Sequence, residues 1–109
     1  MASDAGFVEF VCEQLREVGG VSSRKMFGEY AIYVGGKVVA LVCDDRLFLK
    51  PTDAGRALLG DPIEAPPYPG AKPYFVIDEH IDDADFLAAL FRATEAEVPA
   101  PKPKKPRAR

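Results

Sequence analysis

The apolar positions near the N-terminus recur at helical spacing. Phe7, Val8, Val11, Cys12, Leu15 and Val18 fall within about 140° of one another at 100° per residue, and Glu9, Glu13, Arg16 and Glu17 take the opposite side. This pattern predicts an amphipathic helix, with Ser3 as its N-cap and Asp4 at the positive end of its dipole. Gly19 and Gly20 end it, because glycine adopts the left-handed conformation that helix C-termini need.

The period then changes. Val21 to Phe27, Tyr30 to Val34, Lys37 to Cys43 and Arg46 to Lys50 are rich in β-branched and aromatic residues. Between them stand Gly28-Glu29, Gly35-Gly36 and Asp44-Asp45, two-residue turns that imply an antiparallel meander. The third run, KVVALVC, is apolar at both alternating sets of positions, so it is expected to be a central strand covered on both sides. Pro51 and Thr52 introduce a short helix, Asp53 to Leu59, closed by Gly60 with Pro62 just beyond. The proline-rich stretch 62–73 contains Tyr68-Pro-Gly-Ala-Lys-Pro73, which cannot be a central strand because proline lacks the ladder donor. Tyr74 to Ile77 reads as one more strand. A last helix starts at Asp82 or Asp83 and places Phe86, Leu87, Leu90, Phe91, Thr94 and Val98 on one face. The expected fold is α+β: an antiparallel sheet of five to six strands flanked by helices, in the order α-β-β-β-β-α-β-α.

With 48% hydrophobic residues, seven phenylalanines and four tyrosines, residues 1–97 can bury a single core and are expected to form one domain. Residues 98–109 alternate proline with cations and have little to bury, so they read as an extended, disordered tail. Charge divides at the same boundary. Nine cations against seventeen carboxylates give the body a net −8, and Lys102, Lys104, Lys105, Arg107 and Arg109 give the tail +5. The acidic body argues against a broad phosphate-binding face, whereas the tail can attract polyanions. No basic leader precedes the first helix and no apolar run is long enough for a membrane, so a cytoplasmic location is expected.

Catalytic chemistry is sparse. The only histidine, His80, lies in IDEHIDD, where Asp78, Glu79, Asp82 and Asp83 are better read as capping acids around a solvated loop. Their spacing is not that of a calcium loop. Gly28, Gly35 and Gly36 join strand to strand and so form no phosphate cradle. Cys12 and Cys43 read as buried thiols, and with no CxxC pair neither metal nor cofactor is expected. Arg24, Lys25 and Lys50 are the densest cations before the tail, with Phe27, Tyr30 and Tyr33 near enough in sequence to stack on bases. Candidate nucleic-acid contacts are therefore Arg24, Lys25, Lys102, Lys104, Lys105, Arg107 and Arg109.

One set of segments carries a resemblance. Arg24-Lys-Met-Phe-Gly28 with Tyr30-Ala-Ile-Tyr33, then Ala40-Leu-Val-Cys-Asp-Asp45, Leu47-Phe-Leu-Lys50, Tyr68-Pro-Gly-Ala-Lys-Pro-Tyr-Phe75 and Leu87 to Thr94, resembles the TfoX N-terminal domain of bacterial competence regulators. The family often has a second glycine where Glu29 stands here. The positions that carry the motif are Arg24, Met26, Phe27, Gly28, Tyr30, Tyr33, Asp45, Leu49, Lys50, Pro69, Gly70, Lys72 and Pro73. The resemblance implies a compact α+β domain and no known catalytic residues. Two-domain members add a helical C-terminal domain and help a cyclic-AMP-responsive activator switch on DNA-uptake genes. Only eleven residues follow Val98, so the expectation is a stand-alone N-terminal domain. It is expected to be non-enzymatic and to act by protein contacts in transcriptional regulation. The two-sided apolar strand also suggests a homodimer. Two alternatives stand beside this reading: nucleic-acid binding led by the basic tail, and a small-molecule site or enzyme built around Tyr68 to Tyr74.

Overall fold

In a computed structural model, residues 5–26 and 29–98 are described. The elements are α1 (Ala5–Gln14), β1 (Val21–Met26), β2 (Glu29–Val34), β3 (Lys37–Cys43), β4 (Arg46–Leu49), α2 (Asp53–Leu59), β5 (Ile63–Ala65), β6 (Tyr74–Ile77), a 3-10 turn at Glu79–Asp82, and α3 (Ala84–Glu97). The six strands form one antiparallel sheet in the order β1-β2-β3-β4-β6-β5. The α+β class and the meander follow the sequence pattern. The strand β5 departs from it, and the order becomes α-β-β-β-β-α-β-β-α. Only three residues long and set between Pro62 and Pro66, β5 survives because it sits at the sheet edge and pairs with β6 alone.

The first helix is shorter than its apolar pattern suggests. After Gln14 the chain tightens into turns in which the amide of Leu15 donates to the carbonyls of Val11 and Cys12, both at 3.1 Å. The proposed cap residues Ser3 and Asp4 lie outside the described residues, as does Gly28 of the expected Gly28-Glu29 turn. Glu29 itself already belongs to β2.

The turns Gly35-Gly36 and Asp44-Asp45 each hold two residues at positive φ, 60° and 85° in the first and 55° and 59° in the second. Two consecutive positive values match the twist of the flanking strands, which is why glycine and aspartate occupy these hairpins. Between β2 and β3 the register slips: Ile32 pairs with Ala40 but Tyr33 pairs with Val38, leaving Val39 as an extra residue. This bulge turns Val39 and Ala40, neighbours in sequence, into the same core.

Strand alternation sorts the rest. Ile32, Val34, Val42, Leu47, Leu49, Phe75 and Ile77 pack with Val8, Val11 and Leu15 of the N-terminal region and with Leu87, Leu90 and Phe91 of α3. On the other side Cys43, Phe48 and Val76 form a smaller cluster against Leu41, Ala65 and Tyr74, all residues of the sheet itself, so among the described residues the helices cover one side of β3 and this cluster occupies part of the other. Thr52 caps α2 by accepting from the amide of Gly55 at 3.0 Å, and Asp83 caps α3 by accepting from Phe86 at 3.1 Å. Lys37 of β3 and Glu95 of α3 form a half-buried ion pair of 3.1 Å that ties sheet to helix.

Thr94 is fully buried on α3, and its hydroxyl has no hydrogen-bond partner among the described residues. Replacing it with valine, of nearly the same shape, removes an unsatisfied polar group. Thr94→Val should stabilise the fold by about 1 kcal/mol, read as a rise of the thermal midpoint by about 4–8 °C. Conversely, Gly36→Ala meets no steric obstacle but must hold φ at +85°, and should cost about 1 kcal/mol in a denaturant titration.

Candidate functional site

Two open depressions flank the β1 edge of the sheet. Pairing assigns each side chain of β1 to a face. Ser22 and Arg24 lie opposite Tyr33 and Ala31, on the side away from the helices, and Val21, Ser23 and Lys25 lie opposite Val34, Ile32 and Tyr30, on the helical side. On the outer side Ser22, Ser23, Arg24, Tyr33 and Gly36 line a depression of about 360 Å³. On the helical side one of about 500 Å³ is lined by Cys12, Leu15 and Val21 together with the charged Glu9, Glu13 and Arg16.

The electrostatics single out the same strand. Most other cations of the body are engaged. Arg16 pairs with Glu13, Lys37 with Glu95 and Arg56 with Glu64, Arg46 lies 3.9 Å from Asp78, and Arg92 donates to the carbonyl of Glu17 at 2.6 Å. Arg24 and Lys25 are exposed, and among the described residues no ion pair holds either of them.

The structure divides the cation and aromatic set that the sequence suggests. Arg24 and Tyr33 share one depression, but Tyr30 packs against the helical core and Lys50 follows β4, three strands from β1. Phe27 lies outside the described residues, as do Gly28 and the tail cations Lys102, Lys104, Lys105, Arg107 and Arg109. Leu49 is fully buried, and Asp45 is an exposed turn residue. Pro69, Gly70, Lys72 and Pro73 are exposed, with Gly70 at φ +88° in a turn closed by the amide of Ala71 donating to Tyr68 at 3.0 Å. Met26 ends β1. These motif positions do not converge on one site.

His80 is half-buried rather than solvated. Its ring lies 4.3 Å from that of Phe86, and it borders a depression of about 280 Å³ with Asp61, Asp78, Ile63 and Val76. The 3-10 turn that carries it is fixed by Gln14, whose side-chain amide donates to the carbonyl of Ile81 at 2.9 Å. Among the described residues, no group of three or more His, Cys, Asp or Glu side chains is placed to hold a metal ion. No helix among them is long and apolar enough to cross a membrane.

Both cysteines are free thiols. Burial raises the Cys12 pKa, offset in part by a hydrogen bond with Ser23. Burial also raises Cys43, assisted by the charges of Glu29 and Asp44. Tyr74 is raised by burial too, and by its neighbours Tyr68 and Cys43. A folded-state pKa above the unfolded one contributes stability in full below the unfolded value and loses it as pH rises through the folded value. Stability should therefore hold from neutral pH up to the ordinary thiol value of 9.0 and fall beyond it, which denaturant midpoints across that range would show. Cys12→Ser/Cys43→Ala should flatten the fall.

An uncharacterised 12.7 kDa protein encoded in the trpE 5′ region of Spirochaeta aurantia is 49% identical over 105 residues, 96% of this chain and 91% of that protein. The model of the TfoX N-terminal domain matches residues 13–98, from the last turn of α1 to the residue that caps α3. Since that match takes in the whole sheet and both later helices, the chain belongs to the TfoX N-terminal domain family.

Proposed function

We propose that this chain is a non-enzymatic TfoX N-terminal domain that acts by contact with another protein, in the regulation of transcription. The observation that carries the reading is the β1 margin, where two cations and a strand edge without partners among the described residues meet two depressions. Such a surface offers recognition through its backbone groups and charges. The regulatory setting comes from the family alone, through its competence regulators.

The test is in-cell crosslinking of the tagged full chain beside an unrelated tagged protein of equal charge. The expected result is a protein enriched only by this chain, which after purification forms a stoichiometric complex with it on size exclusion. Nucleic acid recovered without any such protein would overturn the reading.

A second reading rests on the division of charge, with five tail cations after an acidic body. It expects DNA or RNA affinity that falls steeply with salt and is lost on deleting residues 99–109. Equal affinity of the intact and shortened chains would exclude it.

A further inference from the structure

The two margins of the sheet are unlike. β5 offers three residues bounded by prolines, and β1 offers six with none. Because the amide of Gly35 donates to the carbonyl of Gly20 at 3.0 Å, alternate residues Ser22, Arg24 and Met26 direct their backbone groups toward β2. Val21, Ser23 and Lys25 therefore turn their N–H and C=O groups away from the sheet, in the geometry a further strand would require. The depressions lie on either side of this row, where alternate side chains of an added strand would project.

We infer that the β1 edge receives an extended acidic segment of another protein as a seventh strand, with carboxylates on the Arg24 side and small apolar side chains between α1 and β1. This deepens the protein-contact reading and rests on it. Charge decides the occupant. The sequence VSSRKM has two cations and no carboxylate, so a second copy of the same edge would bring four cations together with nothing to neutralise them. A nucleic acid would satisfy Arg24 and Lys25 but would set phosphates against the outward carbonyls of Val21, Ser23 and Lys25. An acidic peptide satisfies Arg24 and the backbone groups, and its alternation keeps carboxylates away from the side where Glu9 and Glu13 line the depression. The small hydroxyl side chains of Ser22 and Ser23 permit the close approach, and the apolar floor of Leu15 and Val21 accounts for alternation in the segment.

The probe is a fluorescent blocked hexapeptide of alternating Glu and Val, followed by anisotropy with the full chain. It should bind, more weakly as salt rises, and the Lys-Val counterpart should not. Arg24→Glu/Lys25→Glu should weaken it about tenfold or more. Ser23→Pro removes one outward N–H without touching the β1–β2 ladder, and should weaken binding comparably while the circular dichroism spectrum stays that of the parent. If that variant fails to fold, methylating alternate amide nitrogens of the peptide removes the same hydrogen bonds from the other side at unchanged charge. Equal binding by methylated and unmethylated peptides would reduce the interaction to charge alone and overturn the added strand. So would binding of oligothymidylate with none of the peptide. A partner recovered by crosslinking that still binds both variants would leave the protein-contact reading standing and remove it from this edge.

Discussion

The short ladder between β4 and β6 holds the two halves of the chain together. Leu47, Phe48 and Leu49 pair with Ile77, Val76 and Phe75, and through these three pairs the N-terminal meander is joined to the C-terminal strands. The alternation within the ladder places Leu47, Leu49, Phe75 and Ile77 under the helices while Phe48 and Val76 build the smaller cluster opposite. A register slip of one residue would exchange the two sets, so this pairing fixes both faces of the sheet at once. It also confines α2 to the span between the two strands. Arg56 of α2 lies over the Phe75 ring at 5.1 Å and pairs with Glu64 of β5 at 3.0 Å. From the other end of the helix the amide of Asp53 donates to Glu97 of α3 at 3.0 Å.

That arrangement engages Arg56, Glu64 and Glu97 internally, whereas Arg24 and Lys25 at the opposite margin of the sheet enter no ion pair among the described residues. The difference between the margins has a physical origin. A strand edge is a row of unsatisfied donors and acceptors, and chains limit its reach by shortness, by proline or by charge. One margin is limited by length and proline. The other is limited by Arg24 and Lys25, and charge differs from the other two devices in being selective, since it repels like strands and admits unlike ones.

Periodicity and turn chemistry made most of the architecture legible. The boundaries of α2 and β6 follow from Thr52, Gly60 and the apolar run after Pro73, and the hairpins follow from Gly35-Gly36 and Asp44-Asp45. What stayed hidden depends on contacts distant in sequence. Ile63–Ala65 has no pattern of its own and becomes a strand only because β6 offers it a partner. The bulge at Val39 is invisible in KVVALVC, where every position after Lys37 is apolar. The candidate site was half legible for a related reason. Arg24 and Lys25 stood out as cations, but their meaning changed once Tyr30 proved to be core and β1 proved to be an edge. His80 read as solvated because its packing partner, Phe86, belongs to the next helix and the intervening turn has no sequence signature.

The two-residue turns also bear on how quickly the molecule assembles. Each closes a hairpin whose contacts are local, and such contacts form with little loss of chain entropy, on the microsecond scale of isolated hairpins. The β4–β6 ladder must instead await the ordering of everything between Leu49 and Phe75, a loop that contains α2 and β5. The meander is thus a natural nucleus, and the C-terminal half docks on it late. φ-value analysis would read that order as high values at Val42 and low values at Phe75.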